Sequence, residues 1–197
     1  MKTVRKSLIL AACAIMLVCA TIAGTLAYLT STDTVTNTFT VGNVSITLDE
    51  AKVDENGEAV IPEQRVKANT YKLLPGKKYD KDPTIHVSNT SEDCYVFVKV
   101  ENGLSAIEGD TTIAQQMNTK GWTVIDEEKG IYGKTAPVSA GTDVVVFENF
   151  TINSTADAET LEEYADAEIK VTAYAIQADG FESAQEAWTN AGAEAQA

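Results

Sequence analysis

Histidine occurs once in this 197-residue chain, at His86, and cysteine three times, at Cys13, Cys19 and Cys94. A catalytic zinc ordinarily takes three protein ligands, most often histidines, and the HExxH motif needs two on one helix. A single histidine excludes that motif. No GxSxG occurs, and Cys94 with His86 has no pattern around it that would make a nucleophile and its base. Acidic pairs such as Asp80 and Asp82, or the Asp54–Glu58 turn, lack the alternating ligands and closing glutamate of a calcium loop. The sequence therefore assigns no catalytic residue, no metal and no cofactor, and the expectation is that the protein is not an enzyme.

Positive charge is also scarce. Three of the fifteen basic residues, and none of the twenty-nine acidic ones, precede Tyr28, so residues 28–197 carry a net charge of −17. Such a surface repels nucleic acid and anionic membranes, and it suits a soluble, self-repelling extracellular protein. Long apolar runs are limited to Leu8–Ala20, thirteen residues behind Lys2, Arg5 and Lys6. A spanning helix needs roughly 20. The run, its basic flank and the small residues after it read as a secretory signal, with cleavage between Ala27 and Tyr28; Val18–Ala20 and Thr21–Ala23 also fit a peptidase site by side-chain size. An uncleaved anchor across Leu8–Leu29 is the rival. Leu10–Cys13 has the form of a lipoprotein box, but little apolar sequence precedes it and the run continues past it.

If Cys13 and Cys19 leave with the leader, Cys94 remains alone. One thiol makes no internal disulfide, so packing must hold the fold, and Cys94 reads as a small buried hydrophobe. Residues 28–197 suffice for one domain with a real core.

What is present is β-pattern. Every even position from Thr30 to Thr40 is threonine, and the odd positions carry Val35, Asn37, Phe39 and Val41. A strict period of two with β-branched residues along one face is a strand. Past Gly42-Asn43 the apolar positions become even, at Val44, Ile46 and Leu48, so a bulge or turn there keeps the apolar side inward. Short strands are expected on both sides of the Asp54–Gly57 turn, and a polar loop over 62–69. A type II turn is expected at Pro75-Gly76. Further strands are expected at 83–87, 94–100, 122–125, 131–133, 144–147, 150–152 and 169–176. His86 is placed on the solvent side of its strand, opposite Ile85 and Val87. Cys94–Val100, largely apolar on both faces, belongs at the centre of a sheet. Short helices are expected near 111–117 and 156–165. A C-terminal one, opened by the capping box Ser183–Glu186, folds back on Phe181, Ala184 and Trp188. About nine short strands without a βαβ rhythm give an all-β, two-sheet antiparallel sandwich, 28–197 forming a single domain.

Several segments together resemble the TasA/camelysin family of secreted Gram-positive proteins. They are Gly24–Thr30, Asn37–Ile46, the Leu74-Pro75-Gly76 turn through Pro83, the strand Tyr95–Val100 and the closing strand Ile169–Gln177. The resemblance implies a jelly-roll sandwich and removal of the leader at Ala27-Tyr28 by a SipW-type signal peptidase. It implies a secreted, extracellular-matrix or cell-surface protein that self-associates into biofilm fibres, alongside other matrix proteins. In such fibres the freed N-terminal strand, residues 28–41 here, enters the next subunit, bringing Val35, Asn37, Phe39 and Val41. Camelysin itself is known as a surface metalloprotease, a role the single histidine argues against. A second expectation is a monomeric adhesion or glycan-binding module using Tyr71, Tyr79, Trp122, Tyr132 and Trp188 as stacking rings. Leu74-Pro75-Gly76 is internal, so covalent wall anchoring by a sortase is not expected.

Overall fold

The hydrophobic alternation of Val44, Ile46 and Leu48 carries straight into the first strand of the computed structural model, which describes residues 43–191. The leader, the cleavage position Ala27-Tyr28 and the residues Val35, Asn37, Phe39 and Val41 lie outside those residues.

Ten strands follow in order: β1 (Ile46–Ala51), β2 (Arg65–Val66), β3 (Lys78–Asp80), β4 (Thr84–Val87), β5 (Cys94–Asn102), β6 (Trp122–Asp126), β7 (Ile131–Lys134), β8 (Asp143–Val145), β9 (Asn149–Thr151) and β10 (Ile169–Gln177). Among the described residues three α-helices, α1 (Ile113–Thr119), α2 (Ala158–Glu163) and α3 (Ala184–Ala191), and one 3-10 turn, Ser105–Ile107, accompany them. The strands form one sheet ordered β2-β1-β4-β8, a second ordered β10-β5-β7-β6, and a separate two-stranded ladder of β3 and β9. All pairings are antiparallel. The protein is an all-β sandwich with a few short helices, and the β3-β9 ladder is an addition to the expected two sheets.

The main core lies between the two large sheets. Ile85, Val87 and Val144 enter it from the first sheet, and Cys94, Val96 and Val98 from β5 in the second. The other face of β5 presents Tyr95 and Phe97 to Ile131, Ile176 and the helix residues Ala184, Ala187 and Trp188. Thus β5 is covered on both sides over Cys94–Val98, which is why that half of the strand shows no polar face; Lys99 and Glu101 follow on the outer face and pair with each other. Its Cys94 is fully buried, and that burial pushes the thiol up, keeping it protonated.

Local chemistry explains the helices. Thr112 caps α1 in a full box with Gln115, and Ile113 and Met117 are buried. Gln116 then clamps α1 to the ladder, donating to the Asn149 carbonyl at 2.8 Å. Asp157 caps α2 through the Thr160 N–H at 2.9 Å. In α3 the expected box forms only in part. Ser183 Oγ accepts the Glu186 N–H at 3.2 Å, but the Glu186 carboxylate reaches the Glu182 N–H instead.

Two expectations about the first seventy residues are corrected. The polar stretch 62–69 is not all loop, because Arg65–Val66 pairs with Glu50–Ala51. Its side chains carry no alternation that would reveal a two-residue strand; the Arg65 ion pairs described below hold it in place. The strands expected around the Asp54–Gly57 turn reduce to a single bridge, Val53 with Ala59. There the Asp54 carboxylate takes over, accepting the Asn56 and Glu58 N–H groups at 2.9 and 3.0 Å.

Candidate assembly cleft

β10 is the longest strand at any sheet edge, nine residues against two, three and five for β2, β8 and β6. It pairs with β5 over nine consecutive residues without a register break. Among the described residues its other edge has no strand partner. Edge strands are normally blunted by proline, bulges or several charges. β10 has neither proline nor bulge, and Lys170 is its one charged residue.

That open edge borders a cleft of about 690 Å³. β1 supplies one wall with Leu48, Asp49 and Glu50, and Ile169–Val171 of β10 the other. Leu73, Leu104 and Phe150 contribute apolar floor, and Lys67, Asp166, Glu168 and Lys170 contribute charge. On the far side the sandwich is closed: Trp122 of β6, itself buried, donates its indole N–H to the Val145 carbonyl of β8 at 3.2 Å.

Inside the cleft Glu50 and Lys81 are 5% and 8% exposed, and Glu50 Oε2 lies 2.5 Å from Lys81 Nζ. Asn69 Nδ2 donates to Glu50 Oε1 at 2.9 Å and to the Ala51 carbonyl at 2.8 Å. Asn69 Oδ1 accepts the Val53 N–H at 3.0 Å. Tyr71 stands edge-on to Tyr79 and Phe150, which stack on each other at 4.9 Å. Burial, with the Glu50 charge next, pushes the Tyr71 phenol far up, so it stays protonated and donates to the Asp80 carbonyl.

A second polar cluster lies across β1, β2, β4 and β8. His86 is not simply solvent-facing, as its strand position suggests. Its Nε2 lies 2.9 Å from Asp49 Oδ1 and its Nδ1 2.6 Å from Asp143 Oδ1. Arg65 bonds Asp49 at 2.8 Å and Asp82 at 2.6 Å. Asp82, named above as a calcium ligand to weigh, is thus engaged by Arg65 and by the Ala51 N–H at 2.6 Å.

Both ring nitrogens of His86 face carboxylates, so the imidazolium donates twice while the neutral ring would turn a lone pair on one of them. The Asp49 hydrogen bond, helped by Asp143 and opposed by partial burial, raises the His86 value above 6.5. For Asp49, partial burial acts upward, but the bonds and charges of His86 and Arg65 together hold it below 3.8. The His86 contribution to stability is complete below 6.5 and is lost as pH rises through the raised folded-state value. The Asp49 contribution is complete above 3.8 and is lost as pH falls through its lowered value. Both are present between 3.8 and 6.5. We expect His86→Gln to cost about 1 kcal/mol in that window and progressively less in alkaline buffer. Urea titrations of both proteins across pH check this; a difference that does not change with pH would contradict it.

Of the five rings considered for glycan stacking, Tyr79, Trp122 and Trp188 are buried, while Tyr71 and Tyr132 are half-buried. Among the described residues no group of three or more His, Cys, Asp or Glu side chains is placed to hold a metal ion. Nor is any described helix long and apolar enough to cross a membrane. The cleft and the β10 edge were missed in the sequence because side-chain pattern records which faces of a strand are covered, not which of its backbone edges is paired. The nearest signal was the uncharged run Val171–Ile176. No family model, no curated protein and no solved structure matches this chain.

Proposed function

We propose that this chain is a secreted structural subunit of the TasA/camelysin type, assembling into extracellular matrix or cell-surface fibres by strand addition. The observation that carries the reading is the nine-residue edge of β10, which has no strand partner among the described residues, beside an apolar-floored cleft. An extended segment laid along that edge gains backbone hydrogen bonds and places alternate side chains in the cleft. Residues 28–41 have the required alternation, with Val35, Phe39 and Val41 on one side and threonines on the other. Removal of the leader between Ala27 and Tyr28 by a SipW-type peptidase releases that segment. Given to a neighbouring subunit, it makes a head-to-tail contact that does not close, and such contacts propagate as filaments. No catalytic step is required of the chain.

The test compares purified 28–197 with the same protein lacking residues 28–41. The intact form is expected to form filaments visible by electron microscopy. The truncated form should stay monomeric with an unchanged far-ultraviolet circular dichroism spectrum. Normal polymerisation of the truncated protein would reject strand addition. A monomer that never assembles yet is retained on a glycan array would favour the adhesion module.

A further inference from the structure

We propose that Lys81 and Asn69 become joined by an intramolecular isopeptide bond that the protein forms itself, with Glu50 as proton carrier. One carboxylate touches both reacting groups: Glu50 Oε2 holds the Lys81 amine at 2.5 Å, and Glu50 Oε1 accepts from the Asn69 amide at 2.9 Å. An ordinary buried ion pair would need only Lys81 and Glu50. The third member distinguishes this cluster. Asn69 Oδ1 receives the Val53 backbone N–H at 3.0 Å, a donor placed where negative charge develops if the amide carbon is attacked. Asn69 Nδ2 is fixed from the other side by the Ala51 carbonyl. The Tyr71 ring, centred 5.9 Å from Lys81 Nζ, helps shield the group from water.

The reaction balances without any co-reactant. Glu50 takes a proton from the Lys81 ammonium, leaving a neutral amine. The nitrogen lone pair attacks Asn69 Cγ, a C–N bond forms, and the carbonyl π electrons move to Oδ1, against the Val53 N–H. Glu50 returns its proton to Nδ2. The carbonyl re-forms, the Cγ–Nδ2 bond breaks with its electron pair, and ammonia departs. The second proton on the new amide nitrogen passes through Glu50 to that ammonia, which leaves as ammonium, and Glu50 is again a carboxylate. Holding amine and amide on one carboxylate supplies the proximity that such a condensation lacks in water. Burial of Lys81 and Glu50, 8% and 5% exposed, keeps the amine and its proton carrier away from bulk water.

The physical benefit follows from the composition. The one cysteine among the described residues is buried and free, so no disulfide ties this region. A Lys81–Asn69 bond would link the segment after β2 to the segment after β3, on the wall of the cleft, in a bond that no reductant opens.

Denaturing intact-mass spectrometry of folded 28–197, held at neutral pH until the mass stops changing, tests this. The expected mass is one ammonia below that of the sequence. Tryptic digestion should yield a branched peptide joining Asn69 to Lys81, with no cleavage after Lys81. Lys81→Arg and Glu50→Gln should each remain at full sequence mass. A wild-type protein at full sequence mass overturns the proposal. So does an ammonia loss that maps to Asn56-Gly57 or Asn102-Gly103, where a succinimide would form. A Glu50→Gln protein that still cross-links overturns the role of Glu50. The wild-type result stands whether or not either variant folds, and it is independent of fibre formation.

Discussion

Phe97→Ala is expected to lower the stability of the domain by about 3–5 kcal/mol, close to the whole stability of a marginal fold. Phe97 is completely buried on the second face of β5. Its ring lies 5.0 Å from that of Trp188, which in turn meets Tyr174 edge-on at 5.5 Å. Truncation removes the transfer free energy of the ring and leaves a cavity that a sheet backbone cannot collapse to fill. It also deletes the aromatic contact that seats α3, a further ~0.5–1.5 kcal/mol. The loss should therefore be local as well as global. Hydrogen exchange should show the α3 amides losing protection before those of β1 and β4, which belong to the other core. Equal loss across both cores, or a midpoint shift of under ~1 kcal/mol in urea, would contradict the placement of Phe97 as the seat of α3.

Gly57→Ala should cost roughly 2–4 kcal/mol, from two separable sources. Gly57 has a φ of +74°, a conformation that side chains rarely adopt. A Cβ there would also lie 2.7 Å from Tyr79 Cδ1 and 3.1 Å from Tyr79 Cα. Tyr79 has nowhere to move. It is stacked on Phe150, its hydroxyl donates to the Lys72 carbonyl at 2.5 Å and accepts the Leu74 N–H at 2.7 Å. Gly130 provides the comparison, with a φ of +66° and no atom within 4 Å of its would-be Cβ. Gly130→Ala should cost only the backbone part, about 1 kcal/mol. Thermal or urea unfolding of the two variants checks this. Equal losses would mean that Tyr79 is not the rigid wall described, and the smaller effect at Gly57 would reverse the argument.

How much of this was legible depends on whether the deciding interaction is near in sequence. The strands 94–102, 122–126, 131–134 and 169–177 lie close to where their period and turns put them. Cys94 is buried, as its place in the most apolar strand implied. The Pro75-Gly76 turn is present, with Gly76 at a φ of +69°. Each of these follows from residues within a few positions of one another. The two-residue β2 was not legible, since a strand that short is created by its neighbour.

His86 shows the same limit. Strand alternation placed it opposite Ile85 and Val87, which are buried at 0% and 3%, and that was right about the backbone. It could not supply Asp49 and Asp143, thirty-seven and fifty-seven residues away, which convert an outward-facing ring into a double donor. Likewise Glu50 meets Lys81 across thirty-one residues and Asn69 across nineteen, in a chain so rich in acids that no single glutamate stands out.

Read on its own, then, the chain of residues settled the all-β class, the central doubly covered strand and the returning C-terminal helix, because periodicity and capping act over a few residues. Only tertiary structure decided which strand lies at an edge, what the lone imidazole touches, and which lysine, glutamate and asparagine meet in one hydrogen-bonded cluster. Those are outcomes of sheet order, and sheet order is set by contacts between segments that carry no record of each other.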